Sequence, residues 1–113
     1  MTITQKACNW FNKGWNLGRL GEYEEALECF DKALEIDLNY ETVWFNKGIA
    51  LGELGKYEEA IQCYDNAIKI NPQDESAWYN KGATLGKLGR AEEAIQCYVE
   101  AFLIKPNSEN SPK

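Results

Sequence analysis

The chain contains no histidine, and that single absence removes several chemistries at once. Neither a Ser/His/Asp nor a Cys/His nucleophile–base arrangement can be assembled without an imidazole. The four cysteines include no CxxC pair, and no histidine is available to complete a zinc site around them. Positive charge is in deficit: 12 Lys and Arg stand against 18 Asp and Glu, a net charge of −6. That is the wrong sign for a phosphate backbone, whose partners gather Lys and Arg on one face. No run of about 18 apolar residues occurs, so no segment is expected to span a membrane. The opening MTITQKACNW lacks an apolar leader, which makes the cytoplasm the expected location. From these deficits we expect no catalytic residues, no cofactor, no metal, no nucleic-acid partner and no membrane partner.

What the chain does have is repetition. WFNKG occupies residues 10–14 and 44–48 and returns as WYNKG at 78–82, an interval of 34 each time. Leu17/Leu51/Leu85, Gly21/Gly55/Gly89, Ala26/Ala60/Ala94, Cys29/Cys63/Cys97 and Ile36/Ile70/Ile104 keep the same step. A fixed period of this length marks a stacked-repeat architecture, in which each unit covers the next and the core is a continuous seam. The three cysteines at one repeat position should sit on equivalent helices. Packed helices lie ~8–10 Å apart, beyond the ~7 Å that a disulfide tolerates, so they read as small buried residues.

Each unit divides into two helix-length stretches around a glycine turn. The first helices are predicted near 7–20, 41–54 and 75–88, and the second near 24–36, 58–70 and 92–104. Gly21, Gly55 and Gly89 close the first helix, where positive φ is wanted. Glu24–Glu25, Glu58–Glu59 and Glu92–Glu93 open the second, where the helix dipole favours negative charge. Neighbouring glutamates point ~100° apart, poor geometry for paired acid–base work. Pro72 and Pro106 are expected to end the second helix. Short connections give antiparallel pairs, so the predicted fold is all-α. The first helix carries two apolar stripes: Trp10, Gly14 and Leu17 read as core, with Gly14 allowing close approach, and Phe11, Trp15 and Gly18 lie ~100° away. Trp44/Gly48/Leu51 with Phe45/Ile49/Gly52, and Trp78/Gly82/Leu85 with Tyr79/Ala83/Gly86, repeat the arrangement. The second helix has one apolar face, Ala26, Leu27, Phe30, Ala33 and Leu34 in the first unit. The second stripe of the first helix therefore lacks an obvious partner within the chain.

The order Trp-x-x-Lys-Gly-x-x-Leu, Gly-x-Tyr, Ala-x-x-x-aromatic, Ala and Pro, at a period of 34, resembles the tetratricopeptide repeat family over residues 7–106. Departures are Lys13, Lys47 and Lys81 where the family usually has leucine, Ala91 in place of Tyr23/Tyr57, and Leu38 in place of proline. The lysine stems can lie along the core edge with the ammonium wet. The resemblance implies a right-handed superhelical solenoid of three antiparallel helix pairs. Its units are expected at about 7–40, 41–74 and 75–106, after a lead-in of residues 1–6 and before a flexible tail of 107–113. It also implies a concave groove lined by the first helices, in which the family holds peptides or partner proteins. By position that groove comprises Phe11, Asn12, Trp15, Phe45, Asn46, Ile49, Tyr79 and Asn80. The three amides can both donate to and accept from a bound backbone. Some adaptor members grip a C-terminal carboxylate there, but the matching positions carry Phe11, Trp15, Ser76 and Asn80, with only Asn46 fitting. The expected partner is an apolar peptide or protein segment.

Two further stretches carry no chemistry. GATLGKLG at 82–89 is one residue short of a phosphate-binding loop and lies within a helix, and DLNYET from Asp37 lacks the sharp-turn glycine of a calcium loop. The last helix breaks the pattern: Asp31 and Asp65 become Val99, and Glu35 and Lys69 become Leu103. With Phe102 these residues offer an apolar end face suited to self-association. A homo-oligomer, or a longer array of which this chain is a piece, is the alternative expectation.

Overall fold

The computed structural model describes residues 1–109, with side chains described through Ile104; among them are six α-helices and no strand. Helices α1 (Ile3–Arg19) and α2 (Tyr23–Ile36) form the first unit, α3 (Glu41–Glu53) and α4 (Tyr57–Ile70) the second, α5 (Glu75–Lys87) and α6 (Ala91–Glu109) the third. Each helix packs on the next in the chain, giving an all-α repeat solenoid of 41 × 38 × 22 Å.

The unit turns are identical in construction. Gly21, Gly55 and Gly89 adopt φ of 82°, 78° and 79°. The residue after each glycine donates its N–H five residues back, Glu22 to Leu17, Lys56 to Leu51 and Arg90 to Leu85, at 2.8–2.9 Å. This satisfies a carbonyl the helix leaves open and reverses the chain in minimal length. The close approach required of Gly14 and Gly48 is also real. A Cβ at Gly14 would lie 2.7 Å from the Phe30 ring, and one at Gly48 only 2.6 Å from Tyr64.

The core runs as a seam through the joints. Phe30 and Leu34 of α2 cluster with Val43 and Ala50 of α3, and Leu51 of α3 with Ala60, Cys63 and Tyr64 of α4. Cys29, Cys63 and Cys97 are buried and free. Burial pushes the Cys63 thiol up to about 11.

The structure differs from the sequence reading at three places. Helix α1 starts at Ile3, inside the expected lead-in of residues 1–6. The reason is a capping box: Thr2 Oγ1 accepts from the Gln5 N–H at 3.1 Å and Gln5 Oε1 accepts from the Thr2 N–H at 2.9 Å. Helix α6 does not stop before Pro106 but continues through it to Glu109. Pro106 has no N–H to give the carbonyl one turn back, so that single bond is missing while the backbone stays helical. The flexible tail expected over 107–113 is therefore helical through 109, and residues 110–113 lie outside the described residues. Finally, Trp10, Trp44 and Trp78 are half-buried and not enclosed core. An indole N–H needs a partner, and two of the three find one at the boundary: Trp44 Nε1 donates to the Leu38 carbonyl at 2.8 Å and Trp78 Nε1 to the Pro72 carbonyl at 3.0 Å. Because the acceptor is backbone, Leu38 serves where the second unit has proline.

Candidate functional site

The sides of the stack are defined by which helices touch. Helix α1 contacts α3, and α3 contacts α5, whereas among the described residues α2 and α4, and α4 and α6, make no such contact. Helices α1, α3 and α5 therefore run along one side of the stack, in contact with one another. On that side lie the residues predicted for the groove. Trp15 and Tyr79 are exposed, Phe11, Phe45 and Ile49 half-buried, Asn12 exposed, and Asn46 and Asn80 half-buried.

The aromatics predicted for the groove do not stand alone. Phe11 rests on Phe30 at a ring-centroid distance of 6.0 Å and on Tyr40 at 5.6 Å, Phe45 on Tyr64 at 5.9 Å, and Tyr79 on Tyr98 at 5.4 Å. All are tilted pairs of the kind ring quadrupoles favour. A second aromatic row on α2, α4 and α6 thus floors the first and limits how far it can move. Its signal in the sequence is the aromatic recurring at 30, 64 and 98. Burial raises the Tyr64 phenol well above its ordinary range, so it stays protonated.

Between the first two units the surface opens into a hollow of about 260 Å³, lined among others by Trp15, Arg19, Tyr23, Asn46, Ile49 and Glu53. The Arg19 guanidinium lies 4.9 Å from the Trp15 ring centroid, fixing the indole's face by a cation–π contact. This hollow brings together Trp15, Asn46 and Ile49 from the predicted set. Phe11 and Asn12, and Tyr79 and Asn80, lie to either side along the same row of helices. A broader hollow of about 330 Å³ beside Trp10, Lys13 and Cys29 contains none of the predicted residues.

The amides are partly committed. Asn46 Nδ2 donates to the Thr42 carbonyl at 2.9 Å, Asn80 Nδ2 to the Ser76 carbonyl at 2.8 Å, and Asn12 Nδ2 to Cys8 Sγ at 3.7 Å. Each reaches one turn back along its own helix, which orients the side chain and leaves Oδ1 and one N–H free. The amides are consequently set up as acceptors as much as donors.

The lysines of the repeated pentapeptide have a role that periodicity did not disclose. Lys47 Nζ meets Asp31 at 2.8 Å and Lys81 Nζ meets Asp65 at 2.6 Å, each across a joint to the preceding unit. The same ammonium groups lie 5.5 and 5.7 Å from the Trp44 and Trp78 ring centroids. Aspartate and lysine are 16 residues apart in both pairs, a separation that no single-helix pattern reveals.

At the start of α3, burial and then the facing Asp74 carboxyl raise Glu41 to about 7. Its Oε2 is buried without a hydrogen-bond partner. Asp74 is at the same time the N-cap of α5, accepting from the Ala77 N–H at 3.3 Å. Among the described residues no group of three His, Cys, Asp or Glu side chains could hold a metal ion, and no helix is long and apolar enough to cross a membrane.

Known proteins place this geometry. The model described as tetratricopeptide repeat matches residues 7–40 and 76–108, a second of that description matches 29–62, and one described as TPR repeat matches 51–89. No curated protein matches significantly. Among solved structures, MamA is similar with a TM-score of 0.92 at 19% identity over 94% of this chain, which spans 62% of MamA. The second TPR of Spaghetti (RPAP3), bound to the HSP90 peptide SRMEEVD, has a TM-score of 0.85 at 27% identity, covering 88% of this chain and 93% of that one. The Arabidopsis OM64 TPR domain has a TM-score of 0.90 at 20% identity, covering 94% and 88%.

Proposed function

Because this chain belongs to the tetratricopeptide repeat family, we propose that it is a protein-interaction module whose α1/α3/α5 face holds an apolar segment of a partner. The observation that carries the reading is the row Phe11, Trp15, Phe45, Ile49 and Tyr79, partly open to water along α1, α3 and α5, the helices that touch across the units. Single exposed apolar side chains are ordinary, but a row of them supported from below by a second aromatic row is a prepared surface.

The chemistry of the row argues for what it prefers. The Spaghetti domain, at 27% identity, is seen with the acidic peptide SRMEEVD. Of the positions that in some family members grip a carboxylate, Phe11, Trp15, Ser76 and Asn80 do not fit that task here and only Asn46 does. Arg19 is engaged on Trp15, and Glu53 lines the same hollow. With a net charge of −6, the chain offers an acidic tail little attraction. An aliphatic or aromatic side chain in the Trp15/Ile49 hollow, with its backbone read by Asn46, fits these groups better.

The test is a titration of apolar and acidic peptides into the full chain, followed by isothermal calorimetry, which reads the Trp15→Ala variant equally well. Apolar peptides should bind with weak dependence on salt, and Trp15→Ala should weaken them at least tenfold while leaving the unfolding midpoint nearly unchanged. Preferential binding of SRMEEVD that salt abolishes would overturn the reading.

A further inference from the structure

The two joints between units differ at one point where the first helices begin. At the first joint that point holds Ala7, 1% exposed, and Tyr40, whose ring packs on Phe11 at a centroid distance of 5.6 Å. One period later the same two positions are Glu41 and Asp74. A contact without charge in the first joint is thus a pair of facing carboxyls in the second, both half-buried.

Neither carboxyl is neutralised. Among the described residues no lysine or arginine forms an ion pair with Glu41 or Asp74. Asp74 is the one charged group set against Glu41; α1, α2 and α4, which also pack on α3, present none to it. Asp74 accepts from the Ala77 N–H, whereas Glu41 Oε2 is buried with no partner. Two facing carboxyls, one with a buried oxygen, do not both ionise while the joint stays closed, so the closed joint retains a proton between them. Burial and Asp74 hold that proton on Glu41 up to about pH 7. Its loss has an outlet. Helix α5 meets the second unit mainly through α4, in the buried cluster that includes Ile61 and Leu85, and touches α3 only slightly. Parting the N-terminal ends of α3 and α5 therefore gives up little packing.

We propose that the joint between the second and third units is a proton-controlled hinge. With one proton shared between Glu41 and Asp74 the joint is closed; with both ionised, the third unit swings away from α3 about its seam with α4. The first joint, with Ala7 and Tyr40 at that point, does not respond. The sign follows from which state binds the proton: low pH holds Phe45 and Tyr79 of the α1/α3/α5 face together, and rising pH parts them. The motion would regulate binding at that face, but it does not depend on a segment being bound there.

Residues 8, 42 and 76 are one repeat position on α1, α3 and α5, and they let the two joints be measured separately. In the full chain with Cys8→Ser, nitroxides on Thr42→Cys and Ser76→Cys, both exposed positions, report the second joint. With Cys8 retained, nitroxides there and on Thr42→Cys report the first. The other three cysteines are buried and stay unlabelled. Dipolar coupling read from about pH 5 to about pH 8.5 should show the 42–76 distance lengthening by about 1–2 Å, the usual scale of a helix shift at an interface. The midpoint should lie near pH 7, with the 8–42 distance constant. Glu41→Gln should keep the 42–76 distance short at every pH. Asp74→Asn should do the same, because asparagine preserves the helix cap, and it serves if Glu41→Gln perturbs the fold. A 42–76 distance that ignores pH, a change that survives both substitutions, or an equal change at both joints would refute the proposal. No peptide is present in this experiment, so its failure leaves the binding reading of the α1/α3/α5 face standing.

Discussion

Adding a single methyl group at Gly48 and at Gly52 should have opposite effects, though both lie in α3 and the chemical change is the same. Glycine to alanine within a helix gains about 1 kcal/mol from backbone propensity alone. At Gly52 no atom lies within 4 Å of the added Cβ, so Gly52→Ala should realise most of that gain. At Gly48 the Cβ would sit 2.6 Å from Tyr64 Cε1 and 2.9 Å from both Cδ1 and Cζ. Tyr64 is 3% exposed and cannot swing aside, so α3 and α4 must separate. Overpacking of this kind costs roughly 1–3 kcal/mol, and here the upper part of that range applies because three ring atoms are met at once. Gly48→Ala should thus be destabilised by about 1–2 kcal/mol, leaving the two variants about 2–3 kcal/mol apart. Gly82→Ala should fall between them, because Tyr98, 2.9 Å from its Cβ, is 38% exposed and free to turn. Urea unfolding followed by far-UV circular dichroism measures all three. Equal midpoints for Gly48→Ala and Gly52→Ala would show that the glycine does not set the distance between α3 and α4.

The remaining predictions are briefer. Glu41 has a folded-state pKa raised from 4.5 to about 7, so the native state holds a proton that the unfolded chain releases. Its contribution to stability is complete below about pH 4.5 and is lost as pH rises through 7; Glu41→Gln should flatten the urea midpoint between pH 5 and 8, and an unchanged slope would exclude Glu41 as its source. Cys63, buried and raised to about 11, should resist thiol reagents at pH 8 until the chain unfolds, while half-exposed Cys8 reacts in the native protein. Asp31→Asn should lower stability by under ~1 kcal/mol, with the loss shrinking in high salt, because the Lys47–Asp31 pair is partly exposed.

Period, helix pairs and glycine turns could all be read from the sequence, because each rests on spacing within one unit. What escaped it depends on contacts between units or on backbone acceptors. The tryptophans look like core by hydrophobicity, yet Trp44 and Trp78 stay at the boundary to reach the carbonyls of Leu38 and Pro72. Lys47 and Lys81 look like edge residues of their own helix, and only the stacked joint reveals Asp31 and Asp65 as their partners. The recurring asparagines were legible by their spacing, but not as side chains already bonded one turn back. The start of α1 was missed because Thr2 and Gln5 lie outside the repeat and act through a local capping box.

The neighbour-only packing has a mechanical consequence. Among the described residues no helix of the first unit touches the third, so the stack behaves as two compliant joints in series. Small rotations at the α2/α3 and α4/α5 joints add at the ends while each unit stays rigid. A segment bound across all three inner helices would load both joints together, and its grip would register as a change of curvature. The two ends of the solenoid could then move relative to one another with no side chain between them adopting a new rotamer, and stiffness would be tuned at the Lys47–Asp31 and Lys81–Asp65 clasps.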